Sequence, residues 1–224
     1  MNIAYLDLLT PIQLDENMIN VLVIENKKLF REMLQQFMQA LLGLDSKWIL
    51  SEASKAISLN KSAVIIADPL NIDLNERKLL DGLYNEMGTI AVDESHCMET
   101  SKIRNNLLTY VNSVMHEVDY PLLEANEISI LNLFKLAGVR FEPYEGELLE
   151  KIVSYAYLCT RFKRCRLIVF VNLKTYFSDE ELGEFYKDML YKKIHILLVE
   201  NRETPRMTNE KIMVIDNDLC VVKC

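Results

Sequence analysis

Four short runs of the chain are apolar at almost every position: 19–24 (Ile-Asn-Val-Leu-Val-Ile), 63–67 (Ala-Val-Ile-Ile-Ala), 167–171 (Leu-Ile-Val-Phe-Val) and 194–199 (Ile-His-Ile-Leu-Leu-Val). They are rich in β-branched residues and bounded by polar ones. They also lack the alternation of a sheet with one wet face, which predicts strands buried on both sides. Helical periodicity separates them, so the expected class is α/β with a mostly parallel sheet. Segments 2–7 and 11–14 read as one hairpin, and 211–215 and 219–222 as another that turns at Asp216-Asn217.

Several helices announce their ends. Ser178 and Glu181 stand in S-x-x-E spacing, a capping box ahead of a helix to about Leu190, and Asp73 with Glu76 gives a weaker version. Asn126 is placed to cap a helix running to Ala137, with Gly138 set for a left-handed cap behind it. A long helix from Ser101 to Val118 carries Ile103, Leu107, Tyr110, Val111, Val114 and Val118 on one face. Between Asp73 and Ala137 the pattern shows three helices and no strand. The predicted organisation is an α/β head built from 1–72 and 138–224, with an α-helical leg of 73–137 inserted into it.

Half of the 224 residues are hydrophobic and 26% are charged, an ordinary globular balance. No apolar run approaches the roughly 20 residues that cross a bilayer. The start, Met1 to Asp7, lacks a basic stretch followed by a long apolar one, so no membrane partner and a cytoplasmic location are expected. Five cysteines without C-x-x-C spacing and three scattered histidines read as reduced thiols and no zinc site, His96-Cys97 included.

The net charge of −8 argues against nucleic acid until its distribution is examined. Residues 117–150 hold eight acids and two bases, a balance of −6, whereas 151–174 hold six bases and no acid, a balance of +6. Arg161, Lys163, Arg164 and Arg166 lie within six residues ahead of a predicted strand, a pattern suited to phosphate contact without a base code. A solvated helix end, where the dipole favours cations, is the plainer alternative. Lys27, Lys28 and Arg31 at the first long helix form a second candidate patch, and Lys192 and Lys193 a third. Glu117, Asp119, Glu124 and Glu127 cluster between two helices as candidate calcium ligands, against the plainer reading of helix-end acids.

The chemistry of a phosphate loop is missing. After the first buried strand the chain reads Glu25-Asn26-Lys27-Lys28, with no glycine to wrap backbone amides around a phosphate, so no nucleotide is expected. No G-x-S-x-G elbow or H-E-x-x-H pair occurs either. The strand ending at Asp68 resembles the start of a receiver domain, but that chemistry needs paired acids after the first strand and only Glu25 is present. A metal-dependent nuclease using Asp68 and Asp73, or a degenerate nucleotide-binding domain, stays open as an alternative.

The C-terminal half carries a sharper likeness. The segment 126–139 (Asn-Glu-Ile-Ser-Ile-Leu-Asn-Leu-Phe-Lys-Leu-Ala-Gly-Val), Leu167 to Asn172 followed by Tyr176 to Glu181, Ile196 to Arg202, and Ile215 to Asp218 occur in an order and spacing that resemble the type II-A CRISPR adaptation protein, the ring-forming Csn-two family. Asp68-Pro69-Leu70-Asn71 extends the likeness towards the N-terminus. The resemblance implies a head similar to a degenerate ABC-type ATPase fold without Walker A, plus a helical leg. It also implies a homotetrameric ring that binds calcium and encircles double-stranded DNA at free ends. The function so implied is non-enzymatic spacer acquisition, with the CRISPR adaptation integrase and the type II effector nuclease as partners.

Overall fold

Each of the four apolar runs forms a strand in the computed structural model, which describes residues 1–8, 10–123 and 127–223. In chain order the first elements are β1 (Asn2–Tyr5), β2 (Ile12–Gln13), β3 (Ile19–Ile24), α1 (Lys27–Leu41), β4 (Trp48–Glu52), β5 (Lys55–Ile57), α2 (Leu59–Ser62) and β6 (Ala63–Ile66). The helices α3 (Arg77–Ala91), α4 (Cys97–Met115) and α5 (Ile130–Leu136) follow. The chain then forms α6 (Leu148–Phe162), β7 (Leu167–Val171), α7 (Asp179–Tyr191), β8 (His195–Glu200), β9 (Glu210–Ile215) and β10 (Val221–Lys223). Two compact units result: Met1–Leu74 with Tyr144–Cys224, and Asn75–Pro143.

The first unit holds both sheets. Its six-stranded sheet has the order β10-β9-β3-β8-β7-β6, parallel except for β10. A second, antiparallel sheet of four strands runs β2-β1-β4-β5. Alternate residues of the large sheet (Leu22, Ile24, Leu167, Val169, Leu197 and Val199) pack against α1 and the small sheet. Trp48 centres that layer: its ring meets Tyr5 and Phe37 edge-on at 5.1 and 5.6 Å, and its Nε1 donates to the Met33 carbonyl at 2.8 Å. On the opposite face Phe170 meets Phe185 of α7 edge-on at 5.4 Å. Coverage on both faces explains why these strands read as unbroken apolar runs.

Local signals mostly held. The capping box forms as written, with Ser178 and Glu181 satisfying each other's backbone amides. Asp216 accepts from the amides of Asp218 and Cys220, closing the β9–β10 turn. The small sheet exceeds the sequence reading, because β4 and β5 join through Ala53 and Ser54, both at positive φ. Such a turn normally carries Asn or Gly, and without them the hairpin gives no sequence signal.

In the second unit α3 starts after Glu76, which supplies no side-chain cap. α5 begins after Ser129, later than the expected start; Asn126 lies outside the described residues. Asn75 ties the unit's ends, accepting from the Phe141 amide at 2.8 Å and donating to its carbonyl at 3.1 Å. The helix α4 is present, but Ile103, Tyr110, Val111 and Val114, expected to be its packed face, are exposed.

Candidate nucleic-acid interface

Parallel strands all begin at one edge of their sheet. The register Ala63↔Leu167 and Leu167↔His195 puts the starts of β6, β7 and β8 side by side, so the segments leading into them share that edge. Those segments carry Lys61 ahead of β6, Arg161, Lys163, Arg164 and Arg166 ahead of β7, and Lys192 and Lys193 ahead of β8. A backbone bond from Arg166 N–H to the Ser62 carbonyl, at 2.7 Å, ties two of these segments together.

Most of these cations are engaged. Arg161 donates to the Tyr157 hydroxyl at 3.0 Å, and Lys192 lies over the same ring, 5.2 Å from its centroid. Tyr157 thus gathers cations from two segments that sequence distance keeps apart. Lys163 donates to the Tyr155 hydroxyl at 3.1 Å and sits 5.0 Å from that ring's centroid. Arg166 pairs with Glu52. That hydrogen-bonded ion pair holds the Glu52 carboxyl below its ordinary range and the Arg166 guanidinium above its own. Burial, and then the chain's N-terminal ammonium, lowers the pKa of His195 at the start of β8 below its ordinary value.

The other candidates lie elsewhere. Lys27, Lys28 and Arg31 are exposed on the first turns of α1, which follows the carboxyl end of β3. β3 runs parallel to β8, so these bases stand at the opposite edge of the sheet, about 20 Å away at 3.3 Å per residue. The predicted basic residues therefore do not form one patch. The N-terminus of α1 is also occupied by the chain itself: Asn26 accepts from the amides of Lys28 and Leu29 at 3.1 and 3.0 Å. Its amide donates to the Asn217 carbonyl, and Asn217 donates to Glu25. At the same edge Asp68 accepts from the Leu70 amide at 3.1 Å, capping a 3-10 turn (Pro69–Asn71).

Lys174, counted in the basic window, is withdrawn from solvent. Its Nζ pairs with Glu210 at 2.6 Å and donates to the Thr204 hydroxyl at 3.1 Å, with the lysine side chain 5% and the glutamate 0% exposed. Glu210 also accepts from the Tyr186 hydroxyl at 2.6 Å and the Met207 amide at 3.0 Å. Nearby, Glu200 accepts from the Lys174 amide at 3.2 Å, and burial pushes its carboxyl up to about 7. Among the expected calcium ligands, Glu117 and Asp119 are exposed and Glu127 pairs with Arg104 at 3.3 Å. Glu124 lies outside the described residues. Among the described residues no three His, Cys, Asp or Glu side chains are placed to hold a metal ion.

Sequence reasoning missed Lys61, Tyr155 and Tyr157. Lys61 sits 90 residues ahead of Lys151, where the basic window begins, and nothing in a linear reading links it to β7. The tyrosines occupy the helix that precedes the arginines, and Tyr157 breaks its apolar period at an exposed position, a signal that was available.

Comparison with known proteins adds a family. The family described as CRISPR-associated protein (Cas_Csn2) matches residues 43–219. The CRISPR-associated protein Csn2 of Enterococcus faecalis is 19% identical over 144 residues, which span 62% of this chain and 63% of that one. The Csn2 protein of Streptococcus agalactiae is 20% identical over 208 residues, or 90% of this chain and 89% of that one. Solved structures of an ATP-binding cassette of an ABC transporter are similar at 14% identity. They cover 96% and 93% of this chain and 83% and 80% of those chains, with TM-scores of 0.43 and 0.45.

Proposed function

This chain belongs to the Csn2 family of CRISPR-associated proteins, and from that premise we propose that it binds the free ends of double-stranded DNA during CRISPR spacer acquisition. One observation carries the reading: three adjacent parallel strands bring seven cations to one sheet edge, on a chain whose net charge is −8. An acidic molecule with a cluster of bases at one edge of its sheet attracts a polyanion to that edge. Phosphate contact of this kind is independent of sequence, as capture of invading DNA of any sequence requires.

The protein in this reading is a closed homotetrameric ring, works without chemistry of its own, and hands DNA to the adaptation integrase and the type II effector nuclease. The Asn26 cap supports the absence of nucleotide, because the amides that would cradle a phosphate already have a partner. Calcium belongs to the same reading through Glu117, Asp119, Glu124 and Glu127, and Glu127 must leave Arg104 to ligate.

A ring threads only where the duplex has an end. The test is gel retardation of linear duplex and of relaxed, covalently closed circles of the same sequence, at one salt concentration, with and without ATP. Preferential binding of the linear form, unaltered by ATP, is expected. Equal affinity for both forms means surface binding and removes the ring from the account; ATP-dependent loading returns the protein to the nucleotide-using class.

A further inference from the structure

Four helices of this chain end with a left-handed residue immediately after the C-cap. Two use glycine: Gly43 after α1 at φ +76°, and Gly138 after α5 at φ +69°. The other two use Arg164 after α6 and Lys193 after α7, both at φ +53°. The turn at Lys193 is of the glycine kind. Its N–H bonds the Leu190 carbonyl and that of Ile194 bonds the Met189 carbonyl, both at 3.1 Å; Gly43 and Leu44 make the same pair of bonds to Ala40 and Gln39 at 3.0 Å. A Cβ in this conformation crowds the following carbonyl, a strain that glycine avoids.

Both strained residues precede adjacent strands, β7 and β8, at the basic edge, and both are exposed. Of the six cations in the last turn of α6 and in the segments behind α6 and α7, the other four are held by Tyr155, Tyr157 or Glu52. Arg164 and Lys193 make no side-chain hydrogen bond, ion pair or ring contact among the described residues. Backbone strain that local packing does not reward gathers where a ligand rewards it. We propose that Arg164 and Lys193 are the residues that grip the phosphates of the duplex, on two turns where glycine gives the more stable fold. The proposal rests on the duplex-binding reading above.

A plainer role, cations placed to complement the helix C-terminal dipole, makes the opposite forecast for stability. Arg164→Gly and Lys193→Gly, singly and together, separate the two. Relief of strain, less the extra freedom of unfolded glycine, raises the folding equilibrium constant roughly two- to tenfold for each. Each lost phosphate contact lowers the slope of log affinity against log salt by about 0.9, and affinity for linear duplex at 0.1 M salt falls about eightfold. Arg164→Asn and Lys193→Asn, neutral but tolerant of this backbone, lose the same binding. Lys192→Gln, which removes a cation already held by Tyr157, changes the slope by less than half as much.

Glycine variants that bind with an unchanged salt slope, or that melt below wild type, overturn the proposal while the duplex-binding reading stands on wild-type retardation. A wild type that fails to retard linear duplex overturns both.

Discussion

Replacing Lys174 with Met tests whether the buried Lys174–Glu210 pair holds the loop between β8 and β9. Methionine keeps most of the volume and removes the charge. It leaves a carboxylate that is 0% exposed, with the Tyr186 hydroxyl and the Met207 amide as its remaining donors. Removing one member of such a pair costs about 3–5 kcal/mol, because the other charge stays buried without compensation. K174M therefore loses ~3–5 kcal/mol at pH 7 against wild type. Urea unfolding measures this, with a midpoint lower by about 1–2 M at pH 7 for an ordinary denaturant slope. Adding Glu210→Gln to K174M restores much of the loss, since no charge is then left buried. A loss below ~0.5 kcal/mol at pH 7 refutes the assignment of Lys174 to a buried pair.

Two further outcomes are expected. Burial raises the Glu200 carboxyl to about 7, so the folded state holds a proton that the unfolded state releases above about 4.5. The Glu200 contribution to stability is fully present below that pH and falls, by up to on the order of 3 kcal/mol, as the pH rises to about 7. Glu200→Gln flattens the decline in a series of urea titrations, and an unchanged decline assigns it to other groups. Calcium at a hundredfold excess over its dissociation constant adds about 2.7 kcal/mol, or roughly 5–10 °C in Tm, with chelator reversing it and magnesium not substituting. If calcium moves neither Tm nor oligomer size, the acids from Glu117 to Glu127 are a solvated surface.

Much of this protein was determined by local sequence. The continuous apolar runs at 19–24, 63–67, 167–171 and 194–199 became parallel strands of the large sheet, because a strand covered on both faces has no wet side to encode. Ser178 with Glu181, and Asp216 at its turn, acted through neighbours a few residues away, and the stretch from Glu25 to Lys28 already lacked the glycines of a phosphate loop. The tertiary structure alone decided what depends on distant neighbours. β4 and β5 formed a hairpin through Ala53 and Ser54, whose positive φ values no residue type advertises. β9, legible only as half of a hairpin, also lies parallel to β3. Strand polarity sorted the bases: Arg161 to Arg166 joined Lys192, Lys193 and the distant Lys61 at one edge, while Lys27, Lys28 and Arg31 went to the other. Lys174, indistinguishable in sequence from its basic neighbours, was buried against Glu210. Charge and periodicity are properties of a chain, but which charges share an edge, and which lose their water, is set by strand direction and pairing.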